Sequence, residues 1–196
     1  MTFDVNKVTE DRAPSEKFSL YPWLQRDYKD FVQNGIPNSL LIYGEKDIGK
    51  LNLGIHLANY LICENKKGPF PCFSCNACHW FQKGNHPDFF AILPEDSYSL
   101  LPFEVDSENL ITKNSEDKKQ SKFIRIDQVR NILNVNELSS YRGGRRVILI
   151  YPVESMRVEA ANCLLKSLEE PLPDVFYILI SHRLDTVLPT IRSRCR

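Results

Sequence analysis

The apolar residues of the chain follow two patterns, one typical of buried strands and one typical of amphipathic helices. Short apolar runs with strand character occupy residues 39–43, 146–151 and 175–180. Helical spacing of apolar positions occurs at residues 21–35, 51–62, 129–135 and about 157–170. Because strands alternate with helices, the pattern predicts an α/β fold built on a doubly wound parallel sheet flanked by helices.

Local signals set the limits of the later elements. Asp127 precedes the apolar positions of the third helix and is predicted to cap it. Pro171 and Pro173 end the fourth helix, because proline cannot continue the hydrogen-bond ladder. Residues 94–123, before the third helix, are polar and poor in core residues. We expect them to form a mobile surface insertion.

A phosphate-binding motif lies between the first predicted strand and the helix after it. Residues 44–51 read Gly-Glu-Lys-Asp-Ile-Gly-Lys-Leu, which keeps Gly44, Gly49 and Lys50 of the consensus Gly-x4-Gly-Lys-Ser/Thr. Backbone N–H groups of such a loop wrap phosphates, the lysine neutralises them and the final hydroxyl binds Mg²⁺. Leu51 stands in place of that hydroxyl. The order strand, glycine turn, helix favours a true loop over an ordinary turn, and binding of ATP or ADP stays open.

The carboxylates that usually hold Mg²⁺ and activate water are also missing. In P-loop ATPases they follow a second apolar strand. Here that strand is followed by Tyr151 and Pro152, and Glu154 is interpreted as a solvated or helix-capping acid. We therefore expect no magnesium site and no ATP hydrolysis by this chain alone.

A cluster of cysteines follows the helix of the phosphate loop. Four of them fall within sixteen residues: Cys63, Cys72, Cys75 and Cys78. Four thiolates at this spacing predict a closed structural zinc site, a knuckle spanning about residues 63–79. An iron–sulfur cluster is the main alternative, although its fourth cysteine normally lies downstream. His79 and His86 are alternative ligands that a complete four-thiolate set does not need.

Composition narrows the functional classes. The 196 residues contain 25 Lys and Arg and 25 Asp and Glu, so the net charge is zero and argues against a strong nucleic-acid binder or a membrane-surface protein. No apolar run has the length of a membrane span, and the first residues lack a signal-peptide pattern. The chain is expected to form one cytoplasmic domain without membrane contact.

Taken together, these motifs resemble the delta-prime family of bacterial DNA polymerase III clamp-loader subunits, within the AAA+ family. The resemblance covers nearly the whole chain and is carried by the cysteine cluster and by His-Pro-Asp at 86–88, Ile-Asp-Gln-Val-Arg at 126–130, Ala-Ala-Asn-Cys-Leu-Leu-Lys-Ser-Leu-Glu-Glu-Pro at 160–171 and Leu-Pro-Thr-Ile-Arg-Ser-Arg-Cys at 188–195.

The resemblance implies an AAA+-type domain over residues 1–196, followed in family members by a helical lid and a C-terminal collar that this chain lacks. It implies a subunit of the DNA polymerase holoenzyme that is not catalytic by itself. The partners would be the gamma/tau and delta subunits in a hetero-pentamer and, indirectly, the sliding clamp and primed DNA. In the family, the Ser-Arg-Cys motif presents an arginine finger to a neighbouring ATP site, a role that falls on Arg194.

Three other functions fit part of the sequence. A gamma/tau-type clamp-loader ATPase shares the cysteines and the Ser-Arg-Cys motif, but it should keep a hydroxyl after Lys50 and acids after the second strand. An unrelated P-loop kinase or ATPase would explain residues 44–50 and would also need the missing metal ligands. A free-standing zinc-ribbon DNA-binding module fits poorly with the neutral charge.

Overall fold

The structure, a computed structural model, describes residues 18–104, 121–136 and 144–196. Its strands are β1 (Ser39–Tyr43), β2 (Phe89–Ile92), β3 (Arg146–Ile150) and β4 (Val175–Ser181). Its α-helices are α1 (Gln25–Asn34), α2 (Lys50–Ile62), α3 (Asn76–Gln82), α4 (Ile126–Asn136), α5 (Val158–Glu169) and α6 (Pro189–Arg192). The strands form one sheet in the order β1-β4-β3-β2, and every neighbouring pair is parallel.

Helices cover both faces of the sheet. Along β3, Val147 and Leu149 belong to the apolar cluster that includes α1, α2 and α3. Ile148 and Ile150 belong to the cluster formed with α4, α5 and α6. All five residues of β3 are buried, as expected for a central parallel strand that has no solvent-facing side. The predicted α/β class and parallel sheet are therefore confirmed.

The sheet brings three strand ends together. Tyr43 of β1 pairs with Ser181 of β4, and Ile150 of β3 pairs with Leu179 of β4. Because the strands are parallel, the segments that follow β1, β3 and β4 meet at the same edge. In open α/β sheets this edge is where ligands bind.

Helix α2 packs unusually close to the sheet through Gly54. A Cβ atom added at Gly54 would lie 2.6 Å from Cδ1 of Ile180 on β4, so a larger side chain would push the helix outward. This contact fixes the helix whose first turn carries the phosphate-loop lysine.

Several boundaries differ from the sequence-based predictions. The helix predicted over 21–35 is divided into a 3₁₀ turn at Pro22–Leu24 and α1. Strand β2 and helix α3 were not predicted. Asp127 does not cap α4, because the helix already begins at Ile126; instead, Oε1 of Gln128 accepts a hydrogen bond of 2.8 Å from the backbone N–H of Arg125.

The predicted insertion at 94–123 is described only at its two ends. Residues Glu95–Leu100 form a 3₁₀ helix, and Oε1 of Glu95 lies 2.6 Å from Nη2 of Arg125. Residues 105–120 lie outside the described part, so the mobility of this segment stays a prediction. Among the residues described, every helix is too short or too polar to cross a bilayer.

Candidate functional sites

The phosphate loop keeps the backbone shape that its glycines predict. Gly49 has a φ of 93°, in the left-handed region that favours glycine, and it directly precedes α2. Lys50 is the first residue of the helix and only 4% exposed. Its ammonium group donates a hydrogen bond to the carbonyl oxygen of Glu45 within the loop. Leu51 is half-buried and packs against the apolar cluster below the helix.

A cleft of about 710 Å³ opens onto this loop. Gly49 and Lys50 line one part of it, and Tyr151 and His182, which follow β3 and β4, line another. The ring of Tyr21 covers Gly49 so closely that a Cβ at this position would lie 2.5 Å from Cδ2 of the tyrosine. Neither Tyr21 nor His182 was predicted from the sequence to lie beside the loop.

Trp23 is a second aromatic residue that contacts the loop, next to Tyr21. Its indole ring stacks on Tyr21 with centroids 4.9 Å apart, and its Nε1 donates a 3.0 Å hydrogen bond to the carbonyl of Ile48. Tyr21 itself is held by a 3.3 Å bond from its backbone N–H to Oδ1 of Asn52 on α2. The segment before α1 is therefore fastened to the loop through Trp23 and to α2 through Tyr21.

Glu154 lies where the sequence analysis did not place it. It is half-buried, and its Oε1 accepts a 2.9 Å hydrogen bond from the backbone N–H of His182. The carboxylate is therefore not a solvated acid, because its Oε1 accepts the His182 amide and its Oε2 is buried. It lies in the first turn of the short 3₁₀ helix Val153–Ser155, where its side chain makes no capping hydrogen bond. Burial lowers the pKa of Lys50, and the charges of Glu154 and Asp47 act in the opposite direction. Burial also lowers the pKa of His182.

The loop fits a phosphate group better than it fits a magnesium-bound nucleotide. The glycine turn, the helix N-terminus and Lys50 are the parts that bind phosphate. Leu51 occupies the position that usually supplies the hydroxyl ligand of Mg²⁺, and Tyr151 and Pro152 occupy the positions that usually supply carboxylates. Leu51 has no hydroxyl, and neither Tyr151 nor Pro152 has a carboxylate. The loop therefore has the parts of a phosphate site and lacks the usual side chains of a hydrolytic centre at these three positions.

The four predicted cysteine ligands come together at the end of α2. The sulfur atoms of Cys63, Cys72, Cys75 and Cys78 all lie within 4.8 Å of one another. Backbone N–H groups point at the sulfurs: the amide of Cys72 lies 3.3 Å from Sγ of Cys63, and the amide of Cys75 lies 3.3 Å from Sγ of Cys72. These bonds stabilise negative charge on sulfur, which metal binding requires.

Within the cluster, the surroundings favour a thiolate at Cys63 and a protonated thiol at Cys78. The hydrogen bond from Cys78 lowers the pKa of the Cys63 thiol to about 5, while the same pairing and burial raise the pKa of Cys78. The ammonium group of Lys66 lies 2.9 Å from the carbonyl oxygen of Cys63. The donor set therefore fits one metal ion held by four thiolates.

Neither histidine considered as an alternative ligand belongs to the cluster. His79 is exposed on α3. His86 is buried, but its Nδ1 accepts a 3.1 Å hydrogen bond from the backbone N–H of Asp88, as in a local turn. Residues 86–88 therefore form a turn before β2, closed by a 3.2 Å hydrogen bond from the amide of Phe89 to the carbonyl of His86.

Arg194 lies apart from the residues that line the cleft, just after α6. Its Nε lies 2.6 Å from Oε1 of Glu169, and its Nη2 donates to the same oxygen. Its Nη1 donates a 2.6 Å bond to the carbonyl of Thr190. The guanidinium is thus oriented by two elements, α5 and α6. Glu169 was not recognised from the sequence as a partner of Arg194.

The fold and its edge site define the class of protein: an α/β protein whose parallel sheet is covered by helices and whose glycine-lysine loop follows the first strand. A family model described as DNA polymerase III, delta subunit, matches residues 22–196. The chain belongs to this family.

Relatives named DNA polymerase III subunit delta' support the assignment. The chain is 37% identical to the one from Pseudomonas aeruginosa, over 90% of this chain and 47% of that protein. It is 29% identical to the Escherichia coli K12 protein, over 90% of this chain and 47% of that protein, and 29% identical to the Bacillus subtilis protein, over 86% and 44%. The chain thus spans about half the length of these curated relatives.

A solved structure supports the fold. A DNA polymerase III gamma subunit-related protein from Thermotoga maritima matches 87% of this chain and 43% of its own chain, with a TM-score of 0.52 and 20% identity. At this identity the similarity bears on the fold alone.

Proposed function

We propose that this chain is part of a clamp-loader subunit of DNA polymerase III that does not hydrolyse ATP itself and supplies Arg194 to the ATP site of a neighbouring subunit. The neighbours would be gamma/tau and delta subunits in a hetero-pentamer that loads the sliding clamp onto primed DNA. Such a subunit works in the cytoplasm, where bacterial DNA is replicated. Membership in the DNA polymerase III delta family supports this role.

Two features of the domain support the proposal: the phosphate loop has Leu51 and Tyr151 where the usual magnesium ligands stand, and a well-anchored guanidinium lies elsewhere on the same domain. Lys50, the first residue of α2, is buried, and Leu51 is half-buried and packs against the apolar core. Arg194 is oriented by Glu169 and Thr190. Arginine forks stabilise the charge of a transferring phosphoryl group, and such residues can act from a neighbouring chain.

The cysteine cluster has a structural role in this proposal, with Zn²⁺ as the metal. A four-thiolate site is closed to substrates and contributes to folding instead of chemistry. Cys63 ends α2 and Cys75 precedes α3, so a bound ion would tie the two helices together. Phe70, between these cysteines, stacks on Tyr28 of α1 with centroids 5.4 Å apart. The knuckle would thereby stabilise the helical layer that supports the phosphate loop.

The experiment uses the full-length protein assembled with its partner subunits. We expect Arg194→Ala to lower the ATPase rate stimulated by clamp and primed DNA at least about tenfold, since arginine fingers contribute about 10³-fold or more where they have been removed. Arg192→Ala, an exposed arginine two positions earlier, is the matched control and should keep the rate. An unchanged rate in Arg194→Ala would refute the role of the finger.

The gamma/tau-type alternative makes the opposite prediction for the isolated protein. It requires ATP hydrolysis in the protein's own site, which depends on the lysine of the loop. ATP turnover by the purified protein that is abolished by Lys50→Ala would establish that alternative. We expect no turnover above background.

A further inference from the structure

The guanidinium of Arg194 is held by acceptors from two helices. Glu169 is the last residue of α5, and its Oε1 accepts a hydrogen bond of 2.6 Å from Nε of Arg194. Nη1 donates to the carbonyl of Thr190 in α6 at 2.6 Å and to Oγ of Ser193 at 3.3 Å. Nη2 donates to Glu169 with one of its two N–H groups. The other N–H of Nη2 has no acceptor among the described residues.

The backbone on either side of Arg194 is also fixed. The amide of Arg194 donates a 3.0 Å bond to the carbonyl of Ile191, whose side chain is buried. Two residues later, Arg196 bonds to β1 through both of its backbone groups, at 3.0 Å to the Ser39 carbonyl and at 2.8 Å from the Leu41 amide. The position of the Arg194 Cα is therefore set by the sheet, and only its side-chain torsions stay adjustable.

Glu169 occupies a place that is unfavourable for an acid. It ends α5, where the helix dipole is negative, and Glu170 follows it directly. Arg194 offsets this negative charge, as does Lys166 in the last turn of α5. In the ion pair of Arg194 with Glu169, the two side chains are 26% and 48% exposed. A carboxylate at a position that the helix dipole disfavours thus lies within hydrogen-bond distance of one edge of the guanidinium.

We propose that Glu169 is a positioning residue for Arg194, holding the Nε edge of the guanidinium so that the remaining N–H of Nη2 faces a phosphate of the neighbouring subunit. This rests on the proposed function. An arginine side chain has many rotamers, and fixing it beforehand removes an entropic cost at the moment of phosphoryl transfer. A second reading, in which Glu169 masks the charge of Arg194 and restrains the reaction, predicts the opposite change in rate.

The test compares five variants of the full-length protein in the assembled complex. We expect Glu169→Ala to lower the kcat of stimulated ATP hydrolysis about tenfold, because small misplacements of a catalytic group have effects of this size. The KM for ATP should not change, since the ATP site belongs to the neighbour. Glu169→Gln keeps an oxygen acceptor and should recover part of kcat. The matched control, Glu170→Ala, should keep the wild-type rate. Combining Glu169→Ala with Arg194→Ala should lower the rate no further than Arg194→Ala alone.

The effects of Arg194→Ala and Glu169→Ala on the rate distinguish a failure of this inference from a failure of the proposed function. If Arg194→Ala lowers the rate but Glu169→Ala leaves it unchanged or raises it, Glu169 does not position the arginine and the inference is overturned. If Arg194→Ala itself has no effect, the proposed function fails, and the inference fails with it. Native mass spectrometry of each complex verifies assembly. If Glu169→Ala prevents folding, the nearly isosteric Glu169→Gln replaces it in the test. A kcat equal to that of the wild type in Glu169→Gln, together with independent effects of Glu169→Gln and Arg194→Ala in the double variant, would then count against the inference.

Discussion

The sulfur atoms of Cys72 and Cys78 lie 3.9 Å apart. Zinc–sulfur bonds of about 2.3 Å in a tetrahedron give a sulfur–sulfur edge of about 3.8 Å, so this pair already has the spacing of a zinc site. We predict that the purified protein carries one zinc ion, measured by plasma mass spectrometry. Cys78→Ser should lose the ion and lower the unfolding midpoint, because binding energy of a structural metal is folding energy.

The control for the zinc prediction is Cys163→Ser, which changes a cysteine of α5 outside the cluster. It should keep the ion. Iron in place of zinc, detected by elemental analysis and visible absorption, would favour the iron–sulfur alternative. An unfolding midpoint that is insensitive to a strong chelator in the wild-type protein would contradict a structural role for any metal.

Nucleotide binding should be weak and independent of magnesium. The phosphates would meet Lys50 and the glycine turn, but the usual hydroxyl and acidic ligands are absent at Leu51 and Tyr151. We expect calorimetric titrations with ADP to give the same affinity with Mg²⁺ and with EDTA. Lys50→Ala should weaken binding, whereas Lys29→Ala, an exposed lysine on α1, should not. A tenfold or greater gain in affinity on adding Mg²⁺ would show that other groups complete a metal site.

A buried ion pair next to β2 should contribute strongly to stability. Nη2 of Arg146 lies 3.1 Å from Oδ1 of Asp88, and the two side chains are 5% and 2% exposed. Asp88→Ala would leave a buried guanidinium without this partner, which typically costs about 3–5 kcal/mol in the free energy of unfolding. Urea denaturation measures the change.

The matched control for the buried pair is the exposed pair Arg183–Asp185, with side chains 70% and 66% exposed. Asp185→Ala should leave the unfolding midpoint unchanged within error, because water and salt screen this pair. Equal effects of the two substitutions would show that burial does not decide the contribution of the Asp88–Arg146 pair.

The sequence predicted elements where burial produces a long or periodic apolar pattern. β1, β3 and β4 are covered on both faces, so nearly all of their residues are apolar. β2 was missed because it has only four residues, Phe89–Ile92, which is too few for a pattern. The cap of α4 was misassigned because Gln128 reaches back from inside the helix to the amide of Arg125, a contact that depends on side-chain conformation.

Local spacing also explains which site residues could be predicted. The cysteines and the glycine-lysine loop lie close in sequence, so their spacing already brings them together. The partners Glu154–His182 and Glu169–Arg194 are 28 and 25 residues apart. These pairs meet only because the crossover connections return to neighbouring strands, which no short motif encodes.

His56 should make the protein less stable in mild acid. Its side chain is buried on α2, its Nε2 has no hydrogen-bond partner among the described residues, and burial lowers its pKa to about 4. In the unfolded chain the pKa is about 6.5. Between pH 4 and pH 6.5 the unfolded state binds a proton at His56 and the folded state does not. The contribution of His56 to the free energy of unfolding is therefore fully present above pH 6.5 and falls as the pH is lowered toward 4.

The size of this effect can be measured with one substitution. From pH 7 to pH 5, His56 should account for a loss of about 2 kcal/mol in the free energy of unfolding, which follows from the two pKa values by linkage. His56→Phe should show a correspondingly smaller loss between the two pH values, whatever its stability at pH 7. His79→Phe, at an exposed position, should keep the wild-type dependence. An imidazole carbon shift showing His56 protonated at pH 5.5 in the folded protein would contradict the prediction, because a buried imidazole with this pKa must still be neutral there.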